Sequence, residues 1–261
     1  MLLELNFSSK ELKKNTQVNV VIPDNREEGE SLKTVWLLHG LAGNYNSWMR
    51  SSAIERYANE HHLAVIMPDG DRSWYTDNAY GINYFTYIAK ELPELCRKTL
   101  KGLSEKREDQ IVAGLSMGGY GALKLALTYP ERYGYCISLS GALDITREGR
   151  PCDLNQWRSI FGFDLETPLA LAGSEHDLFA LAQKNKNAGV VFPEIYMWCG
   201  TEDELFPINE KFDRHLLSLG VRHTYKCSEG NHSWKWWDLH IQDAFNWLES
   251  INKNEVQKNE V

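Results

Sequence analysis

The sequence predicts an α/β fold with a mostly parallel central sheet and helices on both of its faces. Short apolar, β-branched runs alternate with longer segments in which apolar residues recur every three or four positions. Most of the short runs are continuously apolar, which indicates strands buried on both faces, as in a parallel sheet. The chain has 261 residues, of which 43% are hydrophobic and 25% charged, so it is long enough for one large domain with a substantial core.

The predicted strands follow one another along the chain with helices between them. Parallel strands are predicted at residues 34–38, 64–67, 111–113, 136–139, 195–199 and 224–227, and an antiparallel strand near the sheet edge at 18–22. Helices are predicted at residues 52–60, 85–98, 118–129, 209–219 and 237–251. This order implies right-handed crossovers between the parallel strands.

One long segment interrupts the alternation of strands and helices. Residues 144–190 contain short helical patterns but no convincing strand, and we interpret them as a cap-like insertion over the carboxyl ends of the strands. The insertion belongs to a single predicted domain over residues 1–252. The last residues, 253–261, are polar and are predicted to form a flexible tail.

The charge balance makes nucleic acid and membrane surfaces unexpected partners. Lys and Arg total 28 against 36 Asp and Glu, which gives a net charge of −8 at pH 7, and the sequence has no basic run of the kind that tracks phosphates. It has no apolar stretch of about 18 residues, and its first residues lack the pattern of a secretory signal. The five cysteines show no C-x-x-C spacing, which is typical of free thiols in a reducing cytoplasm, where we expect this protein.

The strongest functional motif is a serine between a predicted strand and a predicted helix. Residues 114–118 read Gly-Leu-Ser-Met-Gly and fit the pattern G-x-S-x-G. A serine on such a sharp turn projects its hydroxyl above the sheet, and small flanking residues let strand and helix meet closely. The helix N-terminus then directs free N–H groups at a developing oxyanion. We therefore predict that Ser116 is a nucleophile and that the backbone N–H of Met117 is an oxyanion donor.

A second oxyanion donor is predicted in the loop that follows the strand at 34–38. Residues 39–43 read His-Gly-Leu-Ala-Gly, and a glycine-containing loop after this strand places a backbone N–H beside the nucleophile turn. Leu41 is the candidate donor. His39 is expected to brace the loop rather than to take part in catalysis.

A serine nucleophile needs a histidine base and an acid that orients the histidine, in the chain order Ser, acid, His. His232 lies in a Gly/Asn loop between the last predicted strand and the last helix, and it is the predicted base. Asp203 is the predicted acid because a short side chain just beyond the strand at 195–199 can reach an imidazole nitrogen. Glu202 is the rival acid, and Glu204 is expected to be solvated.

The pocket around the nucleophile is the part that the sequence defines least. Trp74, Tyr75 and Trp157 can either border the acyl site or pack in the core. A metal-dependent hydrolase is not favoured, because the histidines lack the H-E-x-x-H spacing of a zinc site. A binding module that has lost its activity is not favoured either, because the set of serine, aspartate and histidine is complete.

Taken together, these motifs resemble the esterase D group of the α/β-hydrolases. The resemblance rests on residues 39–43, 74–77, 114–121, 140–143, 200–203 and 230–234. Within this group the chain is most similar to bacterial tributyrin esterases, with S-formylglutathione hydrolases as close relatives. The resemblance implies an α/β-hydrolase fold and a cytoplasmic carboxylesterase for short acyl esters, from acetyl to butyryl, that needs no cofactor and often forms homo-oligomers.

Two positions separate the chain from typical S-formylglutathione hydrolases. Those enzymes carry a cysteine where this chain has Gly43 and a histidine where it has Leu115. The differences favour a simple ester over a glutathione thioester. Feruloyl esterases and mycolyl-type acyltransferases are similar in fold, so thioester hydrolysis, action on feruloyl or acetyl esters of carbohydrates, and acyl transfer stay open as alternatives.

Overall fold

The computed structural model describes residues 1–146, 154–162 and 164–259, with the backbone alone for 252–259. Its centre is an eight-stranded sheet in the order β1-β2-β4-β3-β5-β6-β7-β8. The strands are β1 (Leu2–Ser9), β2 (Lys14–Val21), β3 (Lys33–Leu38), β4 (Leu63–Pro68), β5 (Gln110–Leu115), β6 (Tyr135–Leu139), β7 (Glu194–Gly200) and β8 (Thr224–Ser228). From β4 to β8 in the sheet order, every neighbouring pair is parallel.

All the predicted strands are present, and one strand is additional. β3 to β7 are almost completely buried, which explains their largely apolar sequences. β2 is antiparallel to both β1 and β4, as expected for the strand predicted near the sheet edge. The additional strand is β1, whose residues alternate between exposed and half-buried because it lies at the edge of the sheet.

The helices cover both faces of the sheet. They are α1 (Ser47–Ser51), α2 (Ile54–Glu60), α3 (Tyr84–Thr86), α4 (Leu92–Thr99), α5 (Met117–Thr128), α6 (Leu154–Phe161), α7 (Leu178–Asn187), α8 (Phe206–Ser218) and α9 (Trp234–Asn259). One core layer packs α1, α2 and α9 against the sheet, and the other packs the helices from α3 to α8 against the opposite face. None of the helices in the described ranges is both long enough and apolar enough to cross a membrane.

Three helical segments differ from the sequence-based prediction. The segment predicted as one helix at 85–98 is divided by a π-helical turn at Tyr87–Glu91. The helix predicted at 52–60 begins two residues later, as α2, and a separate short helix, α1, precedes it. The tail predicted at 253–261 is helical as far as Asn259, which is consistent with its lack of glycine and proline and its content of Lys, Glu and Gln. The flexibility of this segment stays a prediction.

The insertion predicted at 144–190 lies between β6 and β7. Residues 147–153 and 163 fall outside the described part of this segment. In the rest, α6 and a 3₁₀ turn at Pro168–Leu171 precede α7, and no strand is present in these described residues. α7 packs against α5 and α8, so the second half of the insertion belongs to the helical layer on the sheet face.

Candidate active site

The nucleophile turn joins β5 to α5 at Ser116. Its backbone has φ 54° and ψ −118°, a strained conformation for a residue with a side chain. A Cβ atom at Gly114 would lie 2.3 Å from the carbonyl oxygen of Gly118, and one at Gly118 would lie 2.4 Å from the carbonyl oxygen of Leu38. Only glycine fits at these two positions, because strand and helix meet there backbone to backbone.

Ser116, His232 and Asp203 are joined by hydrogen bonds. His232 Nε2 lies 3.0 Å from Ser116 Oγ, and His232 Nδ1 lies 2.9 Å and 3.1 Å from the two carboxylate oxygens of Asp203. Since a carboxylate only accepts, Nδ1 carries a proton and Nε2 is free to accept the serine proton. The structure thus brings together the three residues that the sequence predicts as nucleophile, base and acid.

The carboxylate of Asp203 is fully buried beside the imidazole. Burial by itself raises the pKa of this group. Hydrogen bonds from His232, from the Leu205 backbone N–H and from the Ser140 hydroxyl outweigh the burial, so the pKa of Asp203 is below its usual value. The group is therefore ionised at neutral pH and can stabilise a positively charged imidazole next to it.

The rival acid Glu202 has a different contact. Its exposed carboxylate accepts a hydrogen bond from the Gly230 backbone N–H at 3.1 Å, and its own N–H donates to the Gly230 carbonyl at 2.9 Å. Glu202 therefore braces the loop that carries His232 without contacting the imidazole. Glu204 is exposed at the rim of the cleft, as predicted.

The loops of the acid and the base touch through two glycines. A Cβ atom at Gly200 would lie 2.1 Å from the Gly230 carbonyl oxygen, and Gly230 itself has φ 155°. The Thr201 N–H also donates to the Ser228 carbonyl at 2.9 Å. The separation between Asp203 and His232 is therefore held by main-chain contacts as well as by their side chains.

Ser140 is a functional neighbour that the sequence reasoning missed. It directly follows β6, is completely buried and has φ 47°. Its hydroxyl contacts the Asp203 carboxylate and accepts a hydrogen bond from Trp237 Nε1 at 3.0 Å. The ring of Trp237 in turn packs edge-on against His232, with 4.8 Å between the centroids. The sequence signal that could have identified Ser140 was its position directly after β6, the strand that pairs with β5.

His39 stabilises the loop after β3, as expected from the sequence. Its Nε2 accepts a hydrogen bond from the Gly70 backbone N–H at 2.8 Å, and its Nδ1 lies 2.7 Å from the Gly40 carbonyl oxygen. The imidazole is buried and bridges two loops. A Cβ atom at Gly40 would lie 3.4 Å from Ser116 Cβ, so this loop runs directly beside the nucleophile.

The predicted oxyanion residues both border the same cleft as Ser116. Leu41 lies in the loop after β3, and Met117 is the first residue of α5. The first N–H groups of a helix have no acceptor within the helix. The backbone of Met117 is thus placed to donate toward a ligand at Ser116.

A cleft of about 940 Å³ opens above Ser116 and His232. Its apolar lining residues include Leu41, Trp74, Leu115, Ala142, Leu205 and Ile208. Asn44, Ser47 and Arg50 also line the cleft, and Trp234, another lining residue, packs against Trp48 of α1. The cleft therefore combines apolar and polar lining residues, as binding sites for small molecules commonly do.

Of the three aromatic residues proposed for the pocket, Trp74 lines the cleft. Tyr75 is fully buried, and its hydroxyl donates to the His39 carbonyl at 2.9 Å, so it holds the loop after β3. Trp157 is buried behind Trp74, with 5.0 Å between the ring centroids. The prediction that Tyr75 and Trp157 border the acyl site is therefore wrong, because both rings are covered by their neighbours. Trp234 lines the cleft instead.

The fold and this site resemble known esterases over almost the whole chain. The family model named Esterase, with the description "Putative esterase", matches residues 9–248. An acetyl esterase from Caldicellulosiruptor saccharolyticus is 35% identical over 268 residues, which cover 96% of this chain and 99% of that protein.

Two solved structures from Staphylococcus aureus are similar as well, and each is 32% identical to this chain. The fluorophosphonate-binding serine hydrolase FphF has a TM-score of 0.88, and the S-formylglutathione hydrolase FrmB has a TM-score of 0.84. Both alignments cover 95% of this chain and 98% of the other. The chain therefore belongs to the Esterase family, and it is a carboxylic ester hydrolase with an α/β-hydrolase fold.

Proposed function

We propose that this protein is a serine carboxylesterase that hydrolyses short-chain acyl esters, from acetyl to butyryl, through an acyl-enzyme on Ser116. The observation that carries the proposal is the hydrogen-bonded series of Ser116, His232 and Asp203 at the floor of the cleft. Its geometry satisfies the requirement for an activated nucleophile: a base within reach of the hydroxyl and an acid that orients the base.

In the first half of the reaction, His232 Nε2 accepts the proton of Ser116 as Oγ attacks the carbonyl carbon of the ester. Asp203 keeps the proton on Nδ1 and stabilises the imidazolium that forms. The imidazolium then donates its Nε2 proton to the leaving alcohol, and the acyl group stays on Ser116. In the second half, His232 activates a water molecule in the same way, and the acid is released.

The negative charge of each tetrahedral intermediate falls on the former carbonyl oxygen. We assign the backbone N–H groups of Leu41 and Met117 as its donors, because both lie beside Ser116 and one of them opens α5. The N-terminus of α5 adds a favourable dipole at the same place. Loss of one such donor typically costs about 3–4 kcal/mol of transition-state stabilisation.

The preference for short acyl esters is supported by the relatives and by the apolar lining residues of the cleft. The acetyl esterase of Caldicellulosiruptor saccharolyticus matches nearly end to end, and the sequence resembles tributyrin esterases of the esterase D group. In the structure, Trp74 lines the cleft that contains Ser116, and its ring packs against that of Trp157. We expect the acyl chain to lie against these apolar lining residues.

A thioesterase of the S-formylglutathione hydrolase type is the second candidate, because FrmB aligns over 95% of this chain. Two residues at the site speak against it. Leu115 presents an apolar side chain to the cleft. A Cβ atom at Gly43 would lie 2.8 Å from Ser47 Oγ, so the oxyanion loop packs around a glycine here and leaves little room for a cysteine.

The proposal is tested with Ser116→Ala and a matched control, Ser47→Ala, which removes another hydroxyl from the same cleft. We expect Ser116→Ala to remain folded, to lose hydrolysis of p-nitrophenyl acetate and butyrate, and to lose covalent labelling by a fluorophosphonate probe in intact-mass spectrometry. The Ser47→Ala variant should keep both. Labelling of the Ser116→Ala protein would show that the nucleophile is a different residue.

The substrate class is tested by measuring kcat/KM for C2 to C8 esters, a feruloyl ester and S-formylglutathione. A strong preference for the thioester would overturn the assignment to short-chain acyl esters.

A further inference from the structure

Two cysteines lie side by side at the carboxyl ends of β7 and β8. Cys199 and Cys227 are direct partners in the parallel register of these strands. Neighbouring strands are about 4.8 Å apart, and directly paired residues in a parallel sheet project to the same face. That separation of Cα atoms falls within the range that a disulfide can span, which is about 4.4–6.8 Å.

The neighbours of the two cysteines show which face they occupy. Trp198 and Ser228 are joined by a hydrogen bond of 3.1 Å from Trp198 Nε1 to Ser228 Oγ, on the face covered by α9. Side chains alternate along a strand, so the adjacent Cys199 and Cys227 both point to the opposite face. The two sulfur atoms therefore face the same space between their strands.

The two thiols differ in their access to solvent. Cys227 is exposed, whereas Cys199 is buried. Burial raises the pKa of the Cys199 thiol well above its usual value, so this group stays protonated. A small oxidant in solution therefore meets Cys227 first, and Cys199 is the neighbour that can react with it afterwards.

Cys199 is also connected to the catalytic acid through Ser140. The Ser140 hydroxyl donates its one proton toward Asp203, and its oxygen accepts from Trp237 Nε1. The Cys199 thiol lies within hydrogen-bond reach of the same oxygen. A change at the sulfur of Cys199 therefore alters a group that directly supports Asp203.

We propose that Cys199 and Cys227 are a redox modification site, in which a peroxide oxidises them to a reversible disulfide that lowers the esterase activity. The thiolate sulfur of Cys227 attacks hydrogen peroxide, the O–O bond breaks, and a sulfenic acid and one hydroxide form; the hydroxide takes up a proton to give water. The Cys199 thiol then loses its proton as its sulfur attacks the Cys227 sulfur; the S–O bond breaks, and the departing hydroxide takes that proton and leaves as a second water while the disulfide forms. Two thiols are oxidised and one peroxide is reduced to two waters.

The loss of activity follows from the geometry around Ser140. In the disulfide, the sulfur of Cys199 has no proton to donate and is drawn toward β8. Ser140 loses this contact, and the strand end that leads through Gly200 to Asp203 is pulled toward the neighbouring strand. A thiol reductant restores the original arrangement, because thiol–disulfide exchange releases both sulfurs.

The disulfide is tested by treating the protein with hydrogen peroxide, digesting it with trypsin without prior reduction, and identifying which peptides are joined. Trypsin places Cys199 in the peptide 187–211 and Cys227 in the peptide 227–235. We expect these two peptides to be joined, with a loss of two hydrogens in the intact mass, and to separate after dithiothreitol. The mass measurement does not depend on the esterase activity, whereas the change in rate rests on the proposed function.

The matched variants separate this site from the other thiols. Cys227→Ser should keep its basal activity and lose its response to peroxide, and Cys152→Ser should respond as the unmodified protein does. For the unmodified protein we expect kcat/KM for p-nitrophenyl butyrate to fall by about tenfold, which corresponds to about 1.4 kcal/mol, and to recover with dithiothreitol. A cross-link to any cysteine other than Cys199, no cross-link, or a disulfide without a change in rate would overturn the proposal.

Discussion

Replacing Asp203 by asparagine tests the role of the acid with the smallest change in shape. In the structure, Oδ1 of Asp203 accepts a hydrogen bond from the Leu205 backbone N–H at 2.9 Å, and Oδ2 lies 2.9 Å from His232 Nδ1. The side-chain amide of the introduced asparagine would keep its oxygen toward Leu205, since only an oxygen can accept there. Its NH₂ group would then face Nδ1 of His232.

This change would reverse the tautomer of the base. An NH₂ group can only donate, so Nδ1 of His232 would have to accept and the proton would move to Nε2. Nε2 could then no longer take the proton of Ser116, from which it is 3.0 Å away. A wrong tautomer of this kind lowers kcat by about 10⁴-fold, which corresponds to about 5 kcal/mol.

The assay is kcat and KM for p-nitrophenyl butyrate at pH 7.5, with the melting temperature as a measure of folding. We expect KM to change little, because the substrate does not touch Asp203. The matched control is Glu202→Gln, which keeps an acceptor for the Gly230 N–H and should stay within about 0.5 kcal/mol, or about twofold, of the unmodified protein. If Glu202→Gln lost more activity than Asp203→Asn, the assignment of the acid would be refuted.

Two further predictions concern α5. Lys124 is buried, and burial lowers its pKa to about 7 from 10.5. Between these pH values the unfolded chain binds a proton that the folded chain lacks, so the free energy of unfolding should rise with pH, on the order of 1 kcal/mol per unit. Lys124→Met should flatten this rise in urea unfolding at pH 7 and 9, and an unchanged slope would contradict the assignment. Gly118→Ala places a Cβ atom 2.4 Å from the Leu38 carbonyl oxygen. It should cost about 1–3 kcal/mol of stability and lower kcat, and wild-type values in both would show that the turn is not this tight.

The strands and the catalytic constellation were predictable from the sequence because their signals are local. A strand buried on both faces is mostly apolar, and β3 to β7 each contain such an apolar run. A serine on a strand-to-helix turn needs small residues on both sides, and Gly114 and Gly118 provide them. Asp203 lies three residues after the end of β7 and His232 four residues after the end of β8, where parallel strands bring their loops together at one edge of the sheet.

The pocket could not be predicted because a core aromatic residue and a pocket aromatic residue have the same local pattern. Trp74 and Tyr75 are adjacent in sequence, yet one lines the cleft and the other is enclosed beneath the loop after β3. Ser140 was missed for a related reason, since its role depends on contacts to Trp237 and Asp203 that are distant in sequence. The strand β1 was missed because an edge strand is only half apolar.

The contact between Gly200 and Gly230 makes the spacing of Asp203 and His232 partly independent of the shape of the cleft. Because main-chain contacts help to set the distance between the acid loop and the base loop, the spacing of the catalytic pair depends only in part on the residues that shape the cleft. The walls come from other elements, among them α1 and α8. Substitutions in those walls can therefore change which esters are accepted while the proton-transfer machinery stays intact, which makes α1 and α8 the places to alter for a new substrate range.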